Sequence, residues 1–198
     1  MSAWLKNIEL SNSHLKLELL SQDHSSGLIS AVEDGKLWQL WYTSAPEPNR
    51  VLEYINQAIE EYDNGKSYPF AIINTATKKI IGTTRYMNAD AANKRLEIGC
   101  TWFSKTHQQT GANSICKYLM LRYAFEKLNC IAVEFRTHWY NFSSRNAIAK
   151  LGAKQDGILR NHQYDKSGNL RDTVVFSIIS SEWPAVKQSL LFRLSKKY

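Results

Sequence analysis

The sequence predicts an α/β (α+β) protein with one mixed central sheet of about six to seven strands and helices on both faces. Three observations predict this class. Strand-like segments occur in hairpin-forming pairs, helices separate the other strands as crossovers, and no internal repeat or long linker divides the chain. We therefore expect a single domain over residues 1–198 with the element order β-α-α-β-β-β-α-β-α-β-β-α.

The first half of the chain supplies four predicted strands and two predicted helices. Apolar alternation and β-branched content predict the strands, whereas caps and apolar spacing predict the helices. In chain order, the elements are strand 14–19, a helix from Ser21 to near Gly35, a helix from Pro48 to just before Gly65, the hairpin strands 68–74 and 79–88, and strand 96–103. Ser21 can cap the first helix, and Pro48 is tolerated in the first turn of the second.

The second half supplies three more strands and three helices. In chain order, they are helix 114–128, strand 131–137, a helix from Asn141 to Gly152, the strands 157–164 and 172–179 around a turn at 165–168, and a helix that begins near Ser181. Glycine at 152 is typical of the residue that ends a helix in a left-handed conformation. Pro184 fits the first turn of the last helix.

Composition excludes several classes of protein. Hydrophobic residues make up 43% of the chain and charged residues 22%, but no apolar run reaches the roughly 18 residues of a membrane span. The first residues lack the apolar segment of a secretory signal, so we expect a cytoplasmic location. The net charge of +7 suits a polyanionic ligand, but the basic residues are scattered, which makes nucleic acid an unlikely partner.

Cysteine and histidine spacing predicts no metal site. Cys100, Cys116 and Cys130 are too widely spaced for a zinc pattern or a disulfide framework, and we interpret them as small core residues. The histidines also lack metal-ligand spacing.

The turn between the fourth predicted strand and the third predicted helix suggests a phosphate site. Its residues are Gln108, Gln109, Thr110, Gly111, Ala112 and Asn113, and Ser114 starts the helix. A helix N-terminus presents unpaired backbone N–H groups and the positive end of the helix dipole, and both favour a phosphate. The alternative is an ordinary glycine-containing loop before a helix.

Several motifs together resemble the GNAT superfamily of acetyl-CoA-dependent N-acetyltransferases. Gln108, Gly111 and, imperfectly, Asn113 match its Arg/Gln-x-x-Gly-x-Gly/Ala signature. The further matches are the acidic strand 96–99, the segment from Asn141 to Ala153, and the ending from Gly168 to Pro184, which resembles the branch of Rim-type ribosomal-protein N-terminal acetyltransferases. The resemblance implies that the turn residues 108–114 bind the diphosphate of coenzyme A.

The resemblance also implies roles along the pantetheine arm of the coenzyme. Trp102 and Phe103 would offer backbone groups to its amides, Asn141 would bond to it, and Ser144 would face the departing thiolate as a hydrogen donor or acid. Helix capping by Asn141 and a first-turn position for Ser144 are sufficient alternatives.

Glu97 is the candidate general base. Strict alternation places Glu97, Gly99 and Thr101 on one face of the strand and Leu96, Ile98, Cys100 and Trp102 on the other. A carboxylate among apolar neighbours is costly unless it has a partner or a task. With a raised pKa, Glu97 could deprotonate a substrate ammonium directly or through water. A structural or substrate-binding carboxylate is the alternative.

We therefore expect an N-acyltransferase that moves acetyl from acetyl-CoA to a primary amine, either a protein N-terminus or a small amine. The rival interpretations are a non-catalytic CoA-binding or partner-binding module and, less favoured, a basic nucleic-acid binder. Arg85 and Arg171 could bind an acidic group of the acceptor, but we favour the interpretation that both are solvated strand charges. The sequence is compatible with a monomer or a homodimer.

Overall fold

The computed structural model describes residues 4–196, which form one eight-stranded sheet with the strand order β1-β2-β3-β4-β5-β6-β8-β7. The strands are β1 Leu10–Ser11, β2 Leu15–Leu19, β3 Ser67–Asn74, β4 Ile80–Asp90, β5 Arg95–Phe103, β6 Ala132–His138, β7 Lys154–Tyr164 and β8 Leu170–Ile179. The helices are α1 Ser25–Glu33, α2 Val51–Asp63, α3 Ala112–Glu126, α4 Phe142–Leu151 and α5 Trp183–Ser195.

The predicted fold class and element order are confirmed, with one strand added. The extra strand β1 has only two residues, and Leu10 pairs with Leu17 of β2. Two residues are too few to show a periodicity in the sequence. Within residues 4–196, no helix has both the length and the hydropathy needed to cross a membrane.

Alternation along the central strands builds two cores, one on each face of the sheet. In β3, Phe70 and Ile72 join the larger core with α3, α4 and α5, whereas Ala71 joins the smaller core under α1 and α2. Successive side chains of a strand point to opposite faces, so one strand contributes to both cores. The helices therefore cover both faces, as predicted.

The sheet opens between β5 and β6, its one parallel pair. These strands pair only from Arg95 with Ala132 to Glu97 with Glu134. Beyond that point β5 continues along β4 to Phe103, and β6 continues along β8 to His138. Residues 98–103 of β5 and 135–138 of β6 therefore form no backbone pairs with each other. We call the gap between these two segments the β5–β6 opening.

A β-bulge in β5 lies beside the opening. Thr83 of β4 faces Trp102 and Arg85 faces Gly99, so one residue of β4 lies opposite two residues of β5. Cys100 has φ of 48°, a left-handed conformation that is uncommon for a residue with a side chain. The bulge therefore bends β5 at the point where it has left β6.

The bulge makes part of the predicted alternation wrong. Glu97 and Gly99 share a face as expected, but beyond the bulge Trp102 joins their face and packs in the core under α1 and α2. Thr101 points the other way, where its hydroxyl accepts a hydrogen bond from Lys117 of α3. The extra residue shifts the alternation by one position.

Candidate active site

The β5–β6 opening leaves backbone groups of β5 without a neighbouring strand. Such an edge accepts an extended molecule by adding hydrogen bonds, as a further strand would. The Phe103 carbonyl already accepts a bond of 3.1 Å from the side-chain amide of Gln108. Gln108 thus ties the turn to the end of β5.

The glycine turn has the geometry of an anion site. Gly111 precedes α3 in a left-handed conformation with φ of 102°, and Gln109 has φ of 61°. The Ile115 N–H bonds back to the Gly111 carbonyl at 3.0 Å, whereas the amides before it, including those of Asn113 and Ser114, precede the first intrahelical bond. These amides and the helix dipole suit a phosphate.

Asn113 departs from the family signature without disturbing the turn. It is the second residue of α3 and has a helical conformation, whereas the left-handed position that requires glycine falls on Gly111. The turn therefore tolerates asparagine at this position.

Glu97 lies where β5 and β6 separate. Its side chain is buried, and this burial raises the pKa of its carboxyl, against the hydrogen bond from Asn88 and the charge of Arg136. Asn88 Nδ2 donates to Glu97 Oε2 at 2.8 Å, and Arg136 Nε lies 3.5 Å from the same oxygen. A Cβ at position 99 would lie 3.1 Å from Glu97 Oε1, so glycine leaves room beside the carboxylate. The pKa shift has the direction that a general base requires.

Asn141 and Ser144 lie at the start of α4. Asn141 is its N-cap, and its side-chain oxygen accepts a 3.0 Å bond from the Ser144 backbone N–H. The side-chain oxygen of Asn141 therefore caps α4, as the capping alternative states. The Ser144 hydroxyl takes no part in the cap and stays available for another role.

Lys117 is a buried titratable residue beside β5 that sequence reasoning missed. Its side chain is buried, and its Nζ donates to Thr101 Oγ1 at 2.6 Å and to Thr84 Oγ1 at 3.3 Å. Burial lowers the pKa of its ammonium to about 8. No signal in the sequence marks it, because the bulge that turns Thr101 toward α3 cannot be seen in the local pattern.

Arg85 is not a solvated strand charge, so that interpretation is wrong. Its side chain is only 4% exposed and pairs with Glu61 Oε2 at 2.7 Å. Its guanidinium carbon lies 4.8 Å from the centre of the Tyr54 ring. Arg171 is half-buried and bonds to the Thr173 hydroxyl at 3.3 Å.

The thiols fit a packing role. Cys116 and Cys130 are buried, and burial raises the pKa of their thiols to about 11 and about 12, so both are protonated at neutral pH. Cys100 is half-buried at the bulge, and burial also raises the pKa of its thiol. Across residues 4–196, no group of three or more His, Cys, Asp or Glu side chains is arranged to hold a metal ion.

This combination of a split sheet, a buried carboxylate and a glycine turn before a helix is that of an acetyl-transferring enzyme. The chain belongs to the family of the Acetyltransferase (GNAT) domain, whose sequence profile matches residues 14–154. The predicted resemblance is thus confirmed.

Individual relatives agree with this assignment. The chain is 27% identical over 135 residues to the uncharacterized N-acetyltransferase YoaA of Bacillus subtilis (strain 168), covering 65% of this chain and 75% of that protein. The crystal structure of a GCN5-related N-acetyltransferase from Brucella melitensis superposes with a TM-score of 0.84 at 28% identity, covering 94% of this chain and 85% of that one. The ribosomal-protein-S5-alanine acetyltransferase from Vibrio fischeri shares the fold, with a TM-score of 0.70 at 16% identity over 89% of this chain and 99% of that one.

Proposed function

We propose that this protein transfers an acetyl group from acetyl-CoA to the primary amine of a small molecule or a protein N-terminus. One observation carries the proposal. The β5–β6 opening begins at the buried carboxylate of Glu97 and runs along β5 toward the phosphate-binding geometry at the start of α3. A long molecule with a diphosphate at one end and a thioester at the other fits this layout.

Different residues bind different parts of the coenzyme along that path. The turn residues 109–114 hold the diphosphate with backbone N–H groups, and Gln108 fixes the turn to β5. Backbone groups of Trp102 and Phe103, together with the Asn141 side chain, bind the pantetheine arm. Position and orientation account for much of the rate in such a transfer.

Two side chains, Glu97 and Ser144, then accept and donate protons. Glu97 takes a proton from the acceptor ammonium, and the freed nitrogen attacks the acyl carbon to form the N–C bond. Backbone N–H groups of β5 donate to the acyl oxygen as it becomes negative. The C–S bond breaks, and the Ser144 hydroxyl gives its proton to the departing thiolate. The attacking nitrogen loses its second proton as it becomes an amide, and that proton passes through solvent to restore the Ser144 hydroxyl.

Release of thiol from acetyl-CoA across a panel of primary amines tests the proposal. We expect amine-dependent thiol release and an equal amount of N-acetylated product by mass spectrometry. Binding of acetyl-CoA without thiol release for any amine would instead support a non-catalytic CoA-binding module. Steeply salt-dependent affinity for DNA or RNA would support the nucleic-acid alternative.

A further inference from the structure

Arg171, near the start of β8, is a partly buried cation without a counter-ion. Its side chain is half-buried, and burial lowers the pKa of its guanidinium. Across residues 4–196, no carboxylate lies within ion-pair distance of this guanidinium. A charge that is partly removed from water is costly unless an opposite charge pairs with it.

The hydrogen bonds of Arg171 fix its guanidinium but leave one nitrogen available. Nη2 donates to Thr173 Oγ1 at 3.3 Å. With the Gln163 amide in the orientation that satisfies both side chains, its oxygen accepts from Nε at 3.1 Å and from Nη2 at 2.9 Å. Within the described part of the chain, Nη1 has no partner, so both of its N–H groups can donate to an oxyanion.

The acidic residues around Arg171 bind other groups. Asp165 Oδ1 accepts two backbone N–H groups of its own turn, at 2.8 and 2.9 Å. Asp172 Oδ2 pairs with Arg160 Nε at 2.5 Å. The chain therefore supplies the cation and commits the neighbouring carboxylates elsewhere.

Arg171 lies on the face of the sheet that carries Glu97, at the far end of the β5–β6 opening. Thr173, to which it bonds, is directly opposite His138, the last residue of β6. After burial, the charge of Arg171 is the next cause of the lowered pKa of the His138 imidazole. His138 shares a face with Glu134, which is in register with Glu97. The guanidinium and the proposed base therefore line the same face.

The loop between α1 and α2 covers this end of the opening. The ring of Trp41 lies 4.8 Å from the ring of His138, and the Ala45 carbonyl accepts a 3.1 Å bond from Lys166 Nζ. These contacts bring the loop to the turn that leads into β8, beside Arg171. A charge pair formed there is partly shielded from water and is stronger than one on an open surface.

The distance from Glu97 restricts the acceptors that can use Arg171. Four residues of β6 separate Glu134 from His138, a span of roughly 13 Å. The guanidinium lies at the level of His138, one strand further from Glu97. A free α-amino acid has its amine and its carboxylate on one carbon and cannot reach both sites. An extended chain covers the span in about four residues.

We propose that Arg171 binds an oxyanion of the acceptor, roughly three to five residue lengths from the reacting amine. This inference rests on the proposed function and narrows its acceptor to amines that carry a remote acid group. Two sources share this chemistry: a peptide N-terminus with an acidic side chain near its fourth residue, and a long small-molecule amine that ends in an acid. A polyamine would instead place a second cation beside the guanidinium.

Acceptors that differ only in the acid group test the inference in turnover. One pair is Ala-Ala-Ala-Asp-Ala-amide and Ala-Ala-Ala-Asn-Ala-amide, and the other is 8-aminooctanoate and 8-aminooctanamide. We expect kcat/KM at least about tenfold higher for the acid of at least one pair. A preference in the peptide pair alone identifies peptides as the source, and a preference in the octane pair alone identifies small molecules. Equal use within both pairs overturns the inference and leaves the proposed function intact.

Variants of two arginines locate the preference. Arg171→Gln removes the charge, so its acid and amide acceptors should react equally, whereas Arg171→Lys keeps the charge and should retain part of the preference. Arg160→Gln is the matched control, because it removes the same charge from an exposed side chain on the neighbouring strand β7. Arg160→Gln should keep the full preference. An undiminished preference in Arg171→Gln overturns the inference.

Calorimetry tests binding without turnover. The N-acetylated forms of the four acceptors are products of the proposed reaction. In the preferred pair, the Kd of the acid should be at least about tenfold lower than that of the amide for the wild type, and the two should be equal for Arg171→Gln. If no amine is acetylated, the proposed function is overturned and this comparison decides the inference alone: equal Kd values within both pairs for the wild type overturn it.

Discussion

The ammonium of Lys117 lies 2.6 Å from the hydroxyl of Thr101 and links helix α3 to the bulge of strand β5. The described residues place no carboxylate within ion-pair distance of this ammonium. Its burial therefore disfavours the charged form, and its pKa falls to about 8. The helix whose N-terminus we propose as the diphosphate site thus also contacts the bent strand.

Lys117→Met should change how stability depends on pH. The ordinary pKa of lysine is 10.5, so between about pH 8 and 10.5 the unfolded chain holds a proton that the folded protein has released. Stability rises with pH wherever the unfolded state binds more protons. The free energy of unfolding of the wild type should therefore rise relative to that of Lys117→Met in this range, by on the order of 2 kcal/mol at pH 10.

Urea unfolding of both proteins at pH 7 and pH 10 measures this gain. Cys116 and Cys100, the titratable groups that face Lys117, are present in both proteins, so their contributions largely cancel in the difference. A difference that is the same at both pH values would show that Lys117 titrates as a solvated lysine does.

The bulge also marks the limit of what the sequence can predict. The cap at Asn141 and the left-handed end at Gly152 were predictable because each depends on the residue's own chemistry and its immediate neighbours. The bulge at Cys100 depends on how β5 pairs with β4, which local alternation does not contain. The contact of Thr101 with Lys117 and the face on which Trp102 lies follow from the bulge, so local alternation could not predict them.

Glu97→Gln should lose activity and gain stability. Without a base to take the ammonium proton, kcat should fall about a hundredfold or more at neutral pH. Since burial raises the pKa of this carboxyl above its ordinary 4.5, the ionised group destabilises the fold at pH 7. Below pH 4.5 both states hold the proton, so the stability gain should shrink as the pH falls through the raised pKa.

Thermal unfolding from pH 4 to 8, with thiol-release kinetics, measures both effects. Glu134→Gln is the matched control, because Glu134 faces Glu97 in register and its pKa is lowered by Arg136 and Arg95 despite partial burial. That variant should lose stability at pH 7 instead. Near-full turnover by Glu97→Gln would remove Glu97 from the mechanism.

Gly111→Val should weaken the binding of acetyl-CoA. A β-branched residue is strained at φ of 102°, by about 1–2 kcal/mol, and would displace the amides at the start of α3. We expect the Kd measured by calorimetry to rise at least tenfold. Gly168→Val is the control, because Gly168 has φ of 81° and open space around it in the β7–β8 turn. Gly168→Val should lose comparable stability but bind acetyl-CoA as tightly as the wild type does. If Gly111→Val also binds acetyl-CoA as tightly as the wild type, the turn is excluded as the diphosphate site.

Ser144 and Asn141 allow capping to be separated from chemistry. The cap of α4 uses the backbone N–H of Ser144 and the side-chain oxygen of Asn141, so Ser144→Ala keeps it. We expect Ser144→Ala to leave the melting temperature unchanged and to lower kcat about tenfold, since only the proton donor to the thiolate is lost.

Asn141→Ala should cost about 1 kcal/mol of stability through loss of the cap. Asn141→Asp retains a capping oxygen but no amide donor, so a higher KM for acetyl-CoA at unchanged stability would reveal the pantetheine contact. Unchanged kinetics in Ser144→Ala and Asn141→Asp would leave capping as the only role of this segment.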